Sequence, residues 1–299
     1  MVCCRERRAA CVPRAARVVR HWALVLAAVL PLASRPAAAA DRNAAFVEAL
    51  RAAGWQDTAA AYVDWVDSSP LATEAFRKQL PLEQAAALAT QARAARDRAS
   101  RQRLYREAAQ RYLDFAEGGA ELPAQLDALR HAANLYAESA ILAAADALAA
   151  PGAADAERRA ARELFDLGLA AAERIVDLST GRLAELPKPA VIQADPDAKA
   201  LRDLLRDRQI EARFLLGLLT FEKSHTLPSG EPEQTKLLID ASRRFGELVE
   251  EYRDGVVGAS SRFYQGRCWQ QRGAFGKALG CYEALFRPTD RPEFRRWTA

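Results

Sequence analysis

From Asn43 to Phe286 the chain is a succession of segments whose apolar residues recur three and four apart, cut by short breaks of Gly, Pro and Ser. No stretch shows the strict alternation of a half-buried strand. That pattern admits helices and little else. Composition agrees: alanine fills 66 of 299 positions, and β-branched runs are few, so helix propensity outweighs strand propensity. With 50% of its residues apolar and 27% charged, the chain can build a sizeable core and is not of the disordered class. The expected fold class is all-α, built of antiparallel helix pairs with some elongated helices.

The first 40 residues stand apart. Arg5, Arg7, Arg8, Arg14, Arg17 and Arg20 precede an apolar run from Trp22 to Ala33, and Ala38-Ala39-Ala40 then supplies the small residues a signal peptidase needs, with cleavage before Asp41. The expectation is a cleavable signal peptide and a periplasmic or extracellular mature chain without a transmembrane helix. An uncleaved anchor is the alternative, but about 13 apolar residues stand where a spanning helix takes about 20. Removing 1–40 takes seven Arg and one Glu from 43 basic and 39 acidic residues, leaving 36 against 38. Such a mature chain lacks the positive field of a nucleic-acid binder. Two of five cysteines stay, Cys268 and Cys281, whose spacing is not diagnostic and which read as small hydrophobes.

Caps and breaks place the helices. Asn43 to Ala53 and Asp57 to Asp67, with Asp57 as N-cap, flank a turn at Gly54-Trp55. A short helix from Thr73 to Gln79 is expected to end ahead of Pro81, which opens another from Leu82 to Arg96. Then come Ser100 to Glu117, Pro123 to Ala149, Ala154 to Glu185, Asp197 to Lys223, Pro232 to Tyr252, Val256 to Gln271 and Phe275 to Phe286. Leu164, Phe165, Ala172, Ile175 and Val176 mark one buried stripe, and Leu201, Leu204, Leu205, Ile210, Phe214 and Leu218 another. Residues 187–196 hold three prolines and read as a linker between a helical-hairpin region, 41–186, and a repeat region, 197–299. Pro292 to Ala299 reads as the opening turn of a further helix, which predicts a longer array.

Internal repetition decides how the hairpins associate. From Ala259 the chain reads ASSRFYQGRCWQQRGAFGKALGCYEALF. This resembles a tetratricopeptide repeat in Ala259, the small Gly266, Trp269, the turn Gly273, Phe275, Lys277-Ala278-Leu279, Tyr282 and Leu285-Phe286. Arg262 and Gln265 depart from it, standing where the pattern has apolar residues. Arg213-Phe214-x-x-Gly217 echoes Arg262-Phe263-x-x-Gly266 49 residues earlier, with Ala241-x3-Phe245 as its second helix and the added length expected around the turn. Ala137 with Ala161-x3-Phe165 keeps the same 24-residue spacing, and Ala108-x3-Tyr112 stands further upstream. The resemblance implies a stacked α-solenoid in which Gly217, Ala241, Phe245, Gly266, Ala278 and Tyr282 are packing positions.

No motif for turnover emerges. His131 and His225 have no partner at metal-ligand spacing, no two glycines stand at i and i+2, and neither a P-loop nor a Gly-x-Ser-x-Gly elbow occurs. No cofactor and no metal are expected. By resemblance the chain is a non-enzymatic scaffold of the bacterial cell envelope whose first helices line a groove for a protein or peptide partner. That groove would carry Ser260, Phe263, Arg267, Gln270 and Gln271 in the last unit, and Glu211, Phe214, Leu218, Phe221 and Glu222 in the one before. Phe214, Leu218 and Phe221 also read as ordinary core. A structural spacer and a helical-toroid hydrolase are the other readings.

Overall fold

The computed structural model describes residues 41–149, 154–187, 195–253 and 255–286. The expected export signal, most of the 187–196 segment and the Pro292–Ala299 turn lie outside them. Ten helices are present among the described residues, and no strand. They are α1 Arg42–Ala52, α2 Gln56–Asp67, α3 Glu74–Ala94, α4 Arg98–Glu117, α5 Leu122–Ala149, α6 Ala154–Glu185, α7 Pro196–Ser224, α8 Pro232–Glu251, α9 Val256–Gln271 and α10 Phe275–Phe286.

Local chemistry sets the starts. Asp41 accepts from Asn43 N (2.8 Å), Thr73 from Phe76 N (3.0 Å) and Asp97 from Ser100 N (2.8 Å). Asp195 takes both Asp197 N and Ala198 N at 3.1 Å, with Pro196 in the first turn. Each of these side chains satisfies amides that the helix cannot. Asp57 is not a cap: α2 begins at Gln56 behind Trp55, which makes no side-chain cap bond, and Asp57 sits in the first turn. At Gly273, between α9 and α10, the chain takes φ +73°, a conformation that glycine adopts without a Cβ clash.

Pro81 overturns one expectation. It lies inside α3, which runs unbroken from Glu74 to Ala94. A proline there removes an intrahelical bond and costs about 3 kcal/mol. The helix continues because its two halves are anchored in different cores. Phe76 and Leu80 are buried with Val47, Leu50, Val63 and Val66 of α1 and α2. Ala85, Ala89 and Ala92 belong to a larger core that runs through α4 and α5 to Phe165 and Ile175 of α6 and Leu205, Ala212 and Leu219 of α7. Residues on both sides of the 187–196 segment therefore share one core.

Each helix packs on the next in a solenoid-like manner, and a second set of contacts joins α5 to α7 and α7 to α9, with none comparable between α6 and α8 or α8 and α10 among the described residues. The chain thus forms hairpins α5–α6, α7–α8 and α9–α10 whose first helices neighbour one another. Arginine–carboxylate bridges reach between helices two apart: Arg51–Glu83, Arg93–Glu138, Arg174–Glu117, Arg208–Asp127 and Arg244–Glu173.

The packing positions fall where small residues allow close approach. Gly217 of α7 faces Phe245 of α8 so closely that an added Cβ would lie 2.9 Å from the ring, and at Gly266 of α9 it would lie 2.6 Å from the ring of Tyr282 in α10. Ala241, Phe245 and Ala278 are buried. Length added in the α7–α8 unit is not confined to its turn: His225–Glu231 replaces the shorter Arg272–Ala274, and the end of α7 and start of α8 are both extended. In α5–α6 the close approach is inverted, since the glycine is Gly168 on the second helix, against Ala133 O, Tyr136 and Leu219.

Candidate functional site

Ser260, Phe263, Arg267 and Gln270 follow one another at three- and four-residue steps along α9, and Gln271 stands one turn after Arg267, so one helix face carries them all. The structure brings that face beside the C-terminal end of α7. Arg267 Cζ stands 5.7 Å from the centroid of the Phe221 ring and 6.0 Å from that of Phe263. Cation–ring contacts of this kind stabilise by about 0.5–2 kcal/mol, more as they lose water. Phe263 keeps 41% of its surface exposed although it touches Tyr264 and Tyr282 edge to face and tilted. Gln270 is exposed and its Oε1 accepts from the Tyr282 hydroxyl at 3.0 Å. The Gln271 amide meets His225 Nε2, while His225 Nδ1 lies 3.2 Å from Glu222 Oε2.

The residues proposed for α7 divide. Leu218 and Phe221 are buried and belong to the interior. Phe214 is half-buried and closes edge-on against Phe245 and Tyr264 at 5.6 and 5.8 Å. Glu211 and Glu222 remain beside the groove, but both are engaged, Glu211 by Arg208 at 3.0 Å and Glu222 by His225. Arg208 also reaches Asp127 of α5 at 2.8 Å, which ties the first helices of two hairpins together.

Behind this face lies an aromatic knot that sequence reasoning missed. Tyr264 stacks on Phe245 at 5.4 Å and meets Phe214, Phe221 and Phe263 edge to face. Burial pushes its hydroxyl up to about 12, with the Glu222 charge adding to the shift and Arg267 opposing it. Tyr264 falls one residue after Phe263, which drew attention as the exposed partner. The available signal was the density of aromatic residues, Phe214, Phe221, Phe245, Phe263 and Tyr264, on three consecutive helices.

The two departures from the repeat pattern have places. Gln265 Nε2 donates to Ser242 O of α8, and Cys281 Sγ donates to Gln265 Oε1. Arg262 is half-buried on α9. Cys268 and Cys281 are free thiols; Cys268 is buried, which pushes its thiol up to about 12. His131 stacks on Tyr112 at 5.0 Å. No group of three metal-ligating side chains occurs among the described residues, and no described helix is long and apolar enough to cross a membrane.

A shallow depression elsewhere, lined by Leu122, Arg174, Asp177, Leu178 and Arg182, has its cations taken by Glu117 and Glu185. On the α7–α9 face a held cation and an exposed ring stand together; Arg272 and Lys277 also lie over a ring, that of Trp269, at 4.6 and 4.4 Å. No family model, curated protein or solved structure matches the chain.

Proposed function

We propose that the chain is an exported, non-enzymatic scaffold of tetratricopeptide-like hairpins that binds a segment of another protein across α7 and α9. The observation that carries this reading is the recurrence of one contact: a first-helix glycine under a second-helix aromatic ring, Gly217 under Phe245 and again Gly266 under Tyr282. Recurrence of the packing sets α7 and α9 side by side, as their direct contact requires. Their outward residues are then left to meet a ligand rather than the core. Ser260, Phe263, Arg267, Gln270 and Gln271 form that surface. Ring and guanidinium supply apolar and charged contact, and the amides supply hydrogen bonds. The work done is presentation and capture, with no bond made or broken. Export follows from the arginine-rich leader and its Ala38-Ala39-Ala40 cleavage signal.

A photoreactive residue placed in turn at Ser260, Gln270 and the exposed Lys236 of α8 tests the reading in intact cells. Ser260 and Gln270 are expected to yield the same cross-linked partner and Lys236 none. Equal yields from all three positions, or none from the α9 pair, would refute it.

A further inference from the structure

We propose that the α9 face selects acidic segments, with a partner carboxylate pairing with Arg267 and an adjoining apolar side chain lying on Phe263; this rests on the groove reading above. The argument starts from how the chain treats its other inter-helix cations. At five junctions between helices two apart, the bridging arginine ends on a carboxylate: Arg51 on Glu83, Arg93 on Glu138, Arg174 on Glu117, Arg208 on Asp127 and Arg244 on Glu173. Lys223 and Arg213 of α7 likewise end on Asp166 and Glu251. At α7–α9 the bridging cation is Arg267, and it ends on two rings. It forms no ion pair among the described residues.

The carboxylates that could have served it are committed elsewhere. Glu222 lies against His225 and Glu211 against Arg208. Helix α9 contains no acidic residue at all. Across Gly255–Phe286 stand Arg262, Arg267, Arg272 and Lys277 against Glu283 alone, and none of these four cations has an ion-pair partner among the described residues. The rest of the chain after Ala40 carries an excess of acid. The last hairpin is therefore a positive patch on a negative body, which steers an acidic ligand to this end and away from the others. Arg267 is half-buried and held by its rings, so little side-chain freedom remains to be lost when a carboxylate arrives. One guanidinium over an exposed phenyl ring suits a carboxylate beside an apolar residue. A nucleic-acid backbone would need a longer basic track and would meet repulsion from the acidic remainder of the chain.

A library of random 12-residue peptides displayed on phage, selected on the full-length chain and on its Arg267→Gln, Arg267→Lys and Arg267→Glu variants, tests this. Circular dichroism melting serves as the check that each variant is folded. Wild type should enrich peptides with Asp or Glu next to Leu, Phe or Trp. Synthetic copies of those peptides should bind Arg267→Gln about tenfold or more weakly. Arg267→Lys should keep the acidic preference, and Arg267→Glu should lose it. Enrichment of peptides without acidic preference, or a preference that survives Arg267→Gln, would overturn the proposal and leave the groove reading in place. Failure of the wild type to enrich any peptide would overturn both. Tighter binding of a single-stranded oligonucleotide than of the selected peptides at the same salt would overturn the choice of partner.

Discussion

Gly217 and Gly266 occupy equivalent places under aromatic rings, but the rings differ in their freedom to move. Phe245 is fully buried against Phe214 and Tyr264, whereas Tyr282 is half-buried with its hydroxyl at the surface on Gln270. Replacing a helical glycine by alanine gains about 1 kcal/mol of helix propensity. Forcing a methyl into a rigid contact costs about 1–3 kcal/mol. Gly217→Ala should therefore lower stability by about 1–2 kcal/mol, since Phe245 cannot retreat, and Gly266→Ala should be near neutral because Tyr282 can swing outward. Urea unfolding of the two variants checks this, and a larger loss at Gly266 would contradict it. Both glycines were legible in the sequence as packing positions, through their spacing to Ala241 and Ala278. Which ring each one meets, and how freely that ring moves, was not. That depends on what stands behind the ring, and Tyr264, from a third helix, stands behind Phe245.

At the scale of the element, α3 shows how far local rules reach. Proline in a sequence reads as a helix start, and two separate helices, a short one from Thr73 to Gln79 and another from Leu82 to Arg96, are the expectation around Pro81. Two cores anchoring opposite halves of one helix outweigh that rule, because burial of Phe76 and Leu80 on one side and Ala85, Ala89 and Ala92 on the other requires a continuous rod. Pro81→Ala restores an amide donor and removes the ring clash, so thermal unfolding should shift upward, corresponding to about 1–3 kcal/mol. A drop in melting temperature would mean that the two halves need the proline's distortion to reach both cores. Helix α7 fails in the opposite direction. Its sequence suggests a single stripe, yet Leu216, Leu218, Leu219 and Phe221 are all buried. The helix touches α5, α6, α8 and α9, so burial extends around its circumference. Periodicity finds one interface and cannot count four.

Taken as a whole, the chain distributes its stability unevenly. The larger core ties α3 through α7 together, α1 and α2 close on a smaller one, and α10 leaves Phe275, Leu279 and Phe286 exposed. Native-state hydrogen exchange should show the slowest amides in α4 to α7, with α1, α2 and α10 opening at lower free energy. Uniform protection from α1 to α10 would show that the smaller core and the last hairpin are as firmly held as the centre. By itself the sequence determined the helical class and nearly every helix boundary, because caps, breaks and periodicity act within a few residues. Only the tertiary structure decided that Leu218 and Phe221 are interior, that Tyr264 knots three helices together, and that Arg267 ends on rings while its counterparts end on carboxylates. Those outcomes depend on residues of other helices, far along the chain and brought close by helix packing that no local pattern encodes.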